Sequence, residues 1–451
     1  MQYKSVLWIP QLSMNNGTVM YPSRDGNCII LNTFLKYFAT IPTVDWMVHL
    51  LLPPLDIIDK DDFKEFDRIL GDTLKNCPNV HFSYFKSQSK LSPIQNRYYF
   101  DDSIPERLKM CHYDLIVNNI PEISRNIVAF YPPGYKGKLI SCHWFPDYFF
   151  KNDLTGSWNN GNKISYSFRQ LDGILSSDAN IFICDSTMHG WQENILDTFR
   201  RGAAEKIFKN SPMLSLCMTD LTEYKEIREN MSVHFQPKYS VTTAIFPSRI
   251  TASMYTNWHE AFKMFLFPDT VGRIIFCNPS GDKGIKCIEE HFPDVEFEDG
   301  EEQALFASGN KIDARSYNGG SIIVLRQPLT KQQYYEIAFY SHSVINLYFA
   351  ERYGGIAIRE VITIGQLLPF VPWIYEFKHW FKDITHGKFS ALGWETLQTP
   401  RELASKYNSW MIHIEDHPEV ASKINLNFSQ YEHFAKDFEK FKKFITDLKI
   451  I

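Results

Sequence analysis

NLYFAERYGGIAIREVITIGQLLPFVP, residues Asn346 to Pro372, carries the pattern around which this chain is organised. Its upstream edge, Val344-Ile345-Asn346-Leu347-Tyr348-Phe349, has the length and composition of a strand. A sharp break follows at Glu351-Arg352-Tyr353-Gly354-Gly355. Two adjacent glycines can take φ > 0 and let the backbone approach a ligand closely. The spacing of Ile356, Ile358, Val361, Ile362 and Ile364 predicts a helix ending at Gly365, and Leu367 to Val371 reads as a second strand. The order is strand, glycine turn, helix bearing Glu360, strand. The first N–H groups of a helix are unpaired and its dipole is positive there, so such a turn suits an anion. The plainer alternative is an ordinary βαβ unit with a solvated glutamate.

In its spacing the segment resembles the sugar-nucleotide site of retaining glycosyltransferases of the GT-B fold. Their pattern is Glu, seven residues, Glu, with a loop glycine and another glycine five residues after the second Glu. Glu360 and Gly365 have that spacing, and Gly355 stands where the loop glycine belongs. Glu351 departs from it, lying nine positions before Glu360 rather than eight. The resemblance implies an α/β protein with two Rossmann-like domains facing a central cleft. It also implies roles: Glu360 accepts hydrogen bonds from ribose hydroxyls, Glu351 meets donor-sugar hydroxyls, and the N–H groups of Tyr353, Gly354 and Gly355 face the sugar and β-phosphate.

A second strand–turn–helix, from Arg273 through Asn278-Pro279-Ser280-Gly281-Asp282-Lys283-Gly284 to His291, carries another part of the pattern. The family has Arg, four residues, then Lys-Gly here. Lys283-Gly284 matches, but Asn278 replaces the Arg, so Arg326 is the candidate second cation. Ser280 and Gly284 join the expected nucleotide-sugar contacts. A lysine beside a diphosphate offsets the charge that grows as the glycosidic bond breaks; the bland alternative is an exposed turn lysine. His143 follows a strand, lies where the family places a His near the donor sugar, and could equally be a satisfied core histidine. Asp147 would steer an acceptor hydroxyl, and Asp185 and Ser186 would line the cleft. Asp114 is expected to cap or pair locally.

Length and composition bound the rest. At 451 residues two domains are expected, drawn as 1–247 for the acceptor, 248–427 for the nucleotide sugar, and a terminal helix 428–451 packing back on the first. Tyr239 to Pro247 is read as the last strand and linker of the first domain, Arg249 to Leu266 as helix, Asp185 to Arg201 as one helix, and Gln11 to Asn27 as a polar loop. Strand, polar end, helix and strand alternate through both halves, as in a doubly wound parallel sheet. A net charge of −5 gives no global basic signature. The eight cysteines form no C-x-x-C pair and read as buried free thiols in a reducing compartment. Residues 1–12 read as a first strand rather than a signal peptide, and no apolar run is long enough to span a membrane. A cytoplasmic location is expected, the host cytoplasm if the protein is viral.

The chemistry the resemblance implies is transfer of a sugar from a nucleoside diphosphate sugar, UDP-glucose-like, to a hydroxyl with retention. It would pass through an oxocarbenium-like transition state, with positioning and leaving-group stabilisation dominant. No bound metal or other cofactor is implied, and no Asp-x-Asp motif stands at a strand end. Tyr113 to Pro121, YDLIVNNIP, together with His143, resembles the corresponding strands of phage DNA α-glucosyltransferases, which act on hydroxymethylated cytosine in duplex DNA. That implies double-stranded DNA as a partner, with Arg200, Arg201 and Lys206 beside it; a solvated helix face explains the same cluster. A saccharide or lipid-linked acceptor, a sugar-nucleotide epimerase and a non-catalytic sugar-nucleotide binder are the competing readings.

Overall fold

A computed structural model describes residues 2–11, 13–15, 18–20, 26–52, 58–86, 92–94, 97–99, 103–143, 169–183, 185–218, 220, 222–234, 239–250, 257–277, 282–303, 305–306, 309–327, 329–347, 360–364, 368–370, 399–416 and 434–451. They form two compact units. The first ends at Asp220 and is rejoined by Phe434–Ile451; the second is built on Leu221–His433.

The first unit holds strands β1 (Gln2–Ile9), β2 (Val44–Leu52), β3 (Val80–Lys86), β4 (Leu115–Asn118), β5 (Lys138–His143), β6 (Ala179–Phe182) and β7 (Met213–Ser215). Their order in the sheet is β7-β6-β5-β4-β1-β2-β3, and every neighbouring pair is parallel. A parallel sheet is covered on both faces, so its strands must be apolar on both sides. Val6, Leu7, Trp8 and Ile9 meet that condition with no exposure at all. The chain moves outward from β1 through β2 to β3, then returns to β4 on the other flank of β1. That reversal is a topological switch point, where the carboxyl ends of the strands leave a crevice.

The high aromatic content is spent largely on seating helices. Phe34 and Phe38, on helix Gly26–Ala39, pack on Trp8 and Trp46. Phe441, from terminal helix Phe438–Asp447, packs edge-on against Phe34 and Phe38 and tilted against Tyr37. The buried Asp437 carboxylate accepts from Cys217 N at 2.8 Å, and Tyr37 donates to Cys217 O at 2.8 Å. The C-terminal segment is thereby fastened to the residues leaving β7.

The second unit holds β8 (Thr243–Phe246), β9 (Arg273–Phe276), β10 (Phe297–Glu302), β11 (Ile312–Tyr317), β12 (Ile322–Leu325), β13 (Ser343–Ile345) and β14 (Leu368–Phe370). Their order is β10-β11-β12-β9-β8-β13-β14. The five strands from β12 to β14 pair in parallel, while β11 runs antiparallel to both β12 and β10. Its switch point lies at β8, which is flanked by β9 and β13.

Several sequence expectations are corrected. The strand in Tyr239 to Pro247 does not close the first sheet; as β8 it is the switch strand of the second. A short TAIF run, buried at every residue, fits any central strand, and its partners lie far away in sequence. The single helix expected from Asp185 breaks at Arg200, which is extended, giving Asp185–Thr198 and Arg201–Asn210. Within the polar loop, Ser13–Asn15 pairs antiparallel with Thr18–Met20. The helix expected from Arg249 spans only Trp258–Met264. Cys77, Cys111, Cys142, Cys217, Cys277 and Cys287 are free thiols, and all but Cys111 and Cys287 are buried. Among the described residues no helix is long and apolar enough to cross a membrane.

Candidate functional site

Lys283 follows β9 and Glu360 follows β13 in the chain, the two strands that flank the switch strand of the second sheet. Lys283 lies in the first turn of helix Asp282–His291, after β9; Glu360 belongs to the helical residues 360–364, between β13 and β14 in the chain. β9 and β13 are the two neighbours of β8 and run parallel to it, so the chain leaves both at the same edge, and the Glu360 carboxylate and the Cys277 thiol just past β9 both act on Tyr334. Two strands flanking a third are about 10 Å apart. Lys283 is exposed whereas Gly284 beside it is buried, so the helix start is seated while the ammonium stays in solvent. Glu360 is half-buried, and Val361, Ile362, Thr363 and Ile364 behind it are buried.

The sequence did not point to three neighbours of this edge. Tyr334 lies on helix Lys331–Tyr340, whose start is fixed by a capping box of Thr330 and Gln333. Its hydroxyl pKa is pushed well above the ordinary range, by burial first and then by the Glu360 carboxylate, the Cys277 thiol and Tyr335. Tyr334 and Glu360 therefore share one electrostatic neighbourhood. Arg228, on helix Thr222–His234, donates through Nη1 to Thr363 O at 3.5 Å, placing a cation at the carboxyl end of the Glu360 turn. Asn257 donates through Nδ2 to Leu347 O at 2.7 Å, just past β13. Only Asn257 left a sequence signal, a favoured helix-capping type directly before Trp258, and it was hidden inside a run read as continuous helix.

Arg326 follows β12, where its N–H donates to Asp313 O at 2.9 Å. Its guanidinium lies 3.5 Å from the Asp299 carboxylate, which also takes two bonds from Arg315. Its charge is thus already engaged on the antiparallel side of the sheet.

In the first unit, His143 ends β5 with 1 % exposure. It stacks on Phe182, ring centroids 4.8 Å apart. Asn180 donates through Nδ2 to Ile174 O at 3.2 Å, which leaves its Oδ1 as acceptor; His143 Nε2, 2.8 Å away, is therefore assigned the proton. Nδ1 is then an acceptor with no hydrogen-bond partner among the described residues. Burial pulls the pKa down to about 4, against smaller opposing effects of Asn180 and Glu122, so the ring is neutral near pH 7. Asp185 starts its helix half-buried. Asp114 accepts from Ser5 N at 2.9 Å and Lys4 at 3.2 Å, the local pairing expected of it. Glu351, Tyr353, Gly354, Gly355, Ser280 and Asp147 lie outside the described residues.

Two Rossmann-like units, each with its own switch point, define the GT-B fold, and solved structures share it along the whole chain. No protein-family model matches the chain, and no curated protein matches it either. The Anabaena protein Alr3699/HepE, in complex with UDP and glucose, is similar over 98 % of this chain and 100 % of its own, with a TM-score of 0.58 and 11 % identity. Sucrose-phosphate synthase from Thermosynechococcus elongatus is similar over 99 % of both chains, again at 0.58 and 11 %. An E. coli structure described as trehalose-6-phosphate bound with UDP-2-fluoro glucose is similar over 99 % of both, at 0.56 and 11 %. At such identities the likeness is one of fold.

Proposed function

We propose that the protein is a retaining glycosyltransferase that uses a nucleoside diphosphate sugar, UDP-glucose-like, as donor. The observation that supports this reading is that Tyr334 feels both the Glu360 carboxylate and the Cys277 thiol at the end of β9, the strand that leads to Lys283. Ligands of open α/β sheets collect there. Support also comes from the fold shared with proteins holding UDP, glucose or UDP-2-fluoro glucose.

Glu360 takes the ribose hydroxyls on its two oxygens. Lys283 and the adjoining helix start face the diphosphate and offset the charge it gains on leaving. Ser280 and Gly284 complete that cradle; Tyr353, Gly354, Gly355 and Glu351 take the sugar and β-phosphate. The bond from the anomeric carbon to the diphosphate breaks while the acceptor oxygen bonds to that carbon on the same face. The acceptor proton leaves with the diphosphate. No metal is required. His143 acts as a neutral acceptor through Nδ1, not as a proton shuttle, because burial keeps the ring uncharged. Asp147 orients the acceptor hydroxyl. Arg326 serves as second cation only by sharing its Asp299 partner.

The acceptor we propose is a hydroxymethylated pyrimidine in phage DNA, within host cytoplasm. Helix Arg201–Asn210 supports it, with Arg200, Arg201, Lys206 and Lys209 all exposed. Incubation with a panel of nucleotide sugars and hydroxymethylated duplex DNA, read by mass spectrometry, should give a hexose mass increase on DNA and an α-linkage from an α-donor. A changed donor sugar would make the protein an epimerase, and an untouched donor that binds tightly would make it a non-catalytic binder. Glycosylation of a saccharide or lipid in place of DNA would keep the enzyme and overturn the acceptor.

A further inference from the structure

We propose that Arg107, His49 and Ser83 form an anion site on the outer flank of the first unit, one that takes a phosphate group and that the donor reading does not use. β3 is the edge strand of its sheet. Side chains alternate between the two faces along a strand. Tyr84 points to one face, where its hydroxyl donates to Asp67 on helix Lys60–Lys75. Ser83 and Phe85 point to the other. Over that face lies helix Ser103–Met110, which buries Ile104 and Leu108 and lays Arg107 on the Phe85 ring, with Cζ 4.5 Å from its centroid. Arg107 Nε donates to the Tyr113 hydroxyl. Tyr113 is 1 % exposed, and its ring also meets His49 edge-on, centroids 5.6 Å apart. His49 stands opposite Ser83 in the β2–β3 register, and Ser83 Oγ lies 2.7 Å from its Nδ1. Arg107 and His49 therefore stand around one tyrosine ring, and both are only half-buried.

When Ser83 donates to Nδ1, the imidazole carries its proton on Nε2, and an anion beside Nε2 selects that tautomer. Nε2 and the Nη groups of Arg107 make no hydrogen bond among the described residues. Nor does Arg107 have a carboxylate partner there; Glu106, next to it on the helix, is exposed and does not bond it. A guanidinium drawn partly out of water ordinarily gains an acidic partner. The Phe85 face and the Tyr113 hydroxyl hold this one in place without cancelling its charge. A planar fork with its Nη donors unused, beside an imidazole N–H, matches the oxygens of a phosphate. Burial, and then Arg107, hold the His49 pKa below its ordinary value. A phosphate would supply the negative charge that this cluster lacks.

The test uses the full chain without donor, so its outcome is independent of the donor reading. Inorganic phosphate is the probe, read by calorimetric titration and by the imidazole proton resonances of His49, which are identified by their loss in His49→Phe. Phosphate should bind and raise the His49 pKa, because a neighbouring anion favours the imidazolium. Arg107→Met keeps an apolar stem over Phe85 and removes the fork; His49→Phe keeps a flat ring beside Tyr113 and removes the N–H. Each should raise the phosphate Kd on the order of tenfold or more, with Arg107→Lys in between. Thermal unfolding checks that each variant is folded, and Ser83→Ala, which frees Nδ1 to take the proton, replaces any that is not. Native affinity in the folded variants overturns the proposal. So does a native chain that gives neither heat nor a His49 shift with phosphate, and so does displacement of phosphate by chloride at equal ionic strength. A hexose phosphate and a short DNA duplex distinguish the source of the phosphate. Whichever binds more tightly than inorganic phosphate, and loses that affinity in Arg107→Met, identifies it, and the site stands in either case.

Discussion

The two units use the same kind of sheet and finish its carboxyl edge in opposite ways. The first closes its edge with internal bonds. Asn118 Nδ2 donates to Ile120 O and to Ser124 Oγ, and its Oδ1 accepts from Ile120 N. From there a hydroxyl relay runs back across the sheet to the amino end of β6: Ser177 donates to Gly173 O, so Ser141 must donate to Ser177 and Ser124 to Ser141, each hydroxyl pair 2.6 Å apart. Asn180 holds His143 through Nε2, and only its Nδ1 is left for the acceptor role proposed above. The second unit leaves Lys283 in solvent and Glu360 half-exposed at the corresponding edge. Polar residues near strand ends are therefore not equivalent: some are buried within the core, and others stay in contact with solvent.

The sharpest way to break this contrast is substitution on the open edge. Lys283→Ala and Glu360→Gln should each lower turnover by about 10²- to 10³-fold, as loss of one preorganised charge or donor at a transition state does. Thermal unfolding of Lys283→Ala should not move, since Lys283 is exposed. Full activity in both variants would put the chemistry elsewhere.

Acid should reveal the closed edge. The folded pKa of His143 is depressed to about 4 from 6.5, so the native state binds fewer protons than the unfolded chain between those values. Its stabilising contribution is complete above about pH 6.5, is lost as pH falls to about 4, and amounts to about 3 kcal/mol. Urea unfolding at pH 7 and pH 4.5 should show that loss, and His143→Gln should remove most of it. The second unit has a weaker counterpart in His291. Its pKa is lowered by burial, then by His259 and Lys263, with Glu260 opposing. Its contribution has the same sign, fading as pH falls below the ordinary histidine range, and His291→Gln should flatten the acid limb less than His143→Gln.

Local patterns in the sequence carried much of this. Strand–turn–helix units around Lys283 and Glu360 were legible because each is contiguous, and apolar runs such as Leu115-Ile116-Val117 marked buried strands directly. Sheet membership was not legible. β8 is buried throughout, and nothing local distinguishes a partner before it from one after it. β11, IDARSY, escaped notice because it sits between antiparallel neighbours and buries an arginine at 7 % exposure among partly exposed carboxylates. Asn257 was hidden for another reason: its contact lies ninety residues away, and backbone sign leaves no periodic trace.

The smallest effects should separate buried hydroxyl relays from surface charge. Ser141→Ala cuts the first unit's relay in the middle, depriving Ser124 of its acceptor and Ser177 of its donor where no water can replace them; about 2 kcal/mol of stability should be lost. In the second unit, Arg315 bonds Asp299 at 2.7 and 3.0 Å and Glu289, and lies 3.9 Å from the Phe297 ring centroid. Those carboxylates are nearly half exposed, so water takes over when the guanidinium is removed. Arg315→Met keeps the packing on Phe297 and should lose about 1 kcal/mol or less, and that loss should shrink in high salt. Denaturant midpoints for the two variants provide the comparison. A costlier Arg315→Met would mean that charge pairs, not only packing, hold the antiparallel edge of the second sheet in place.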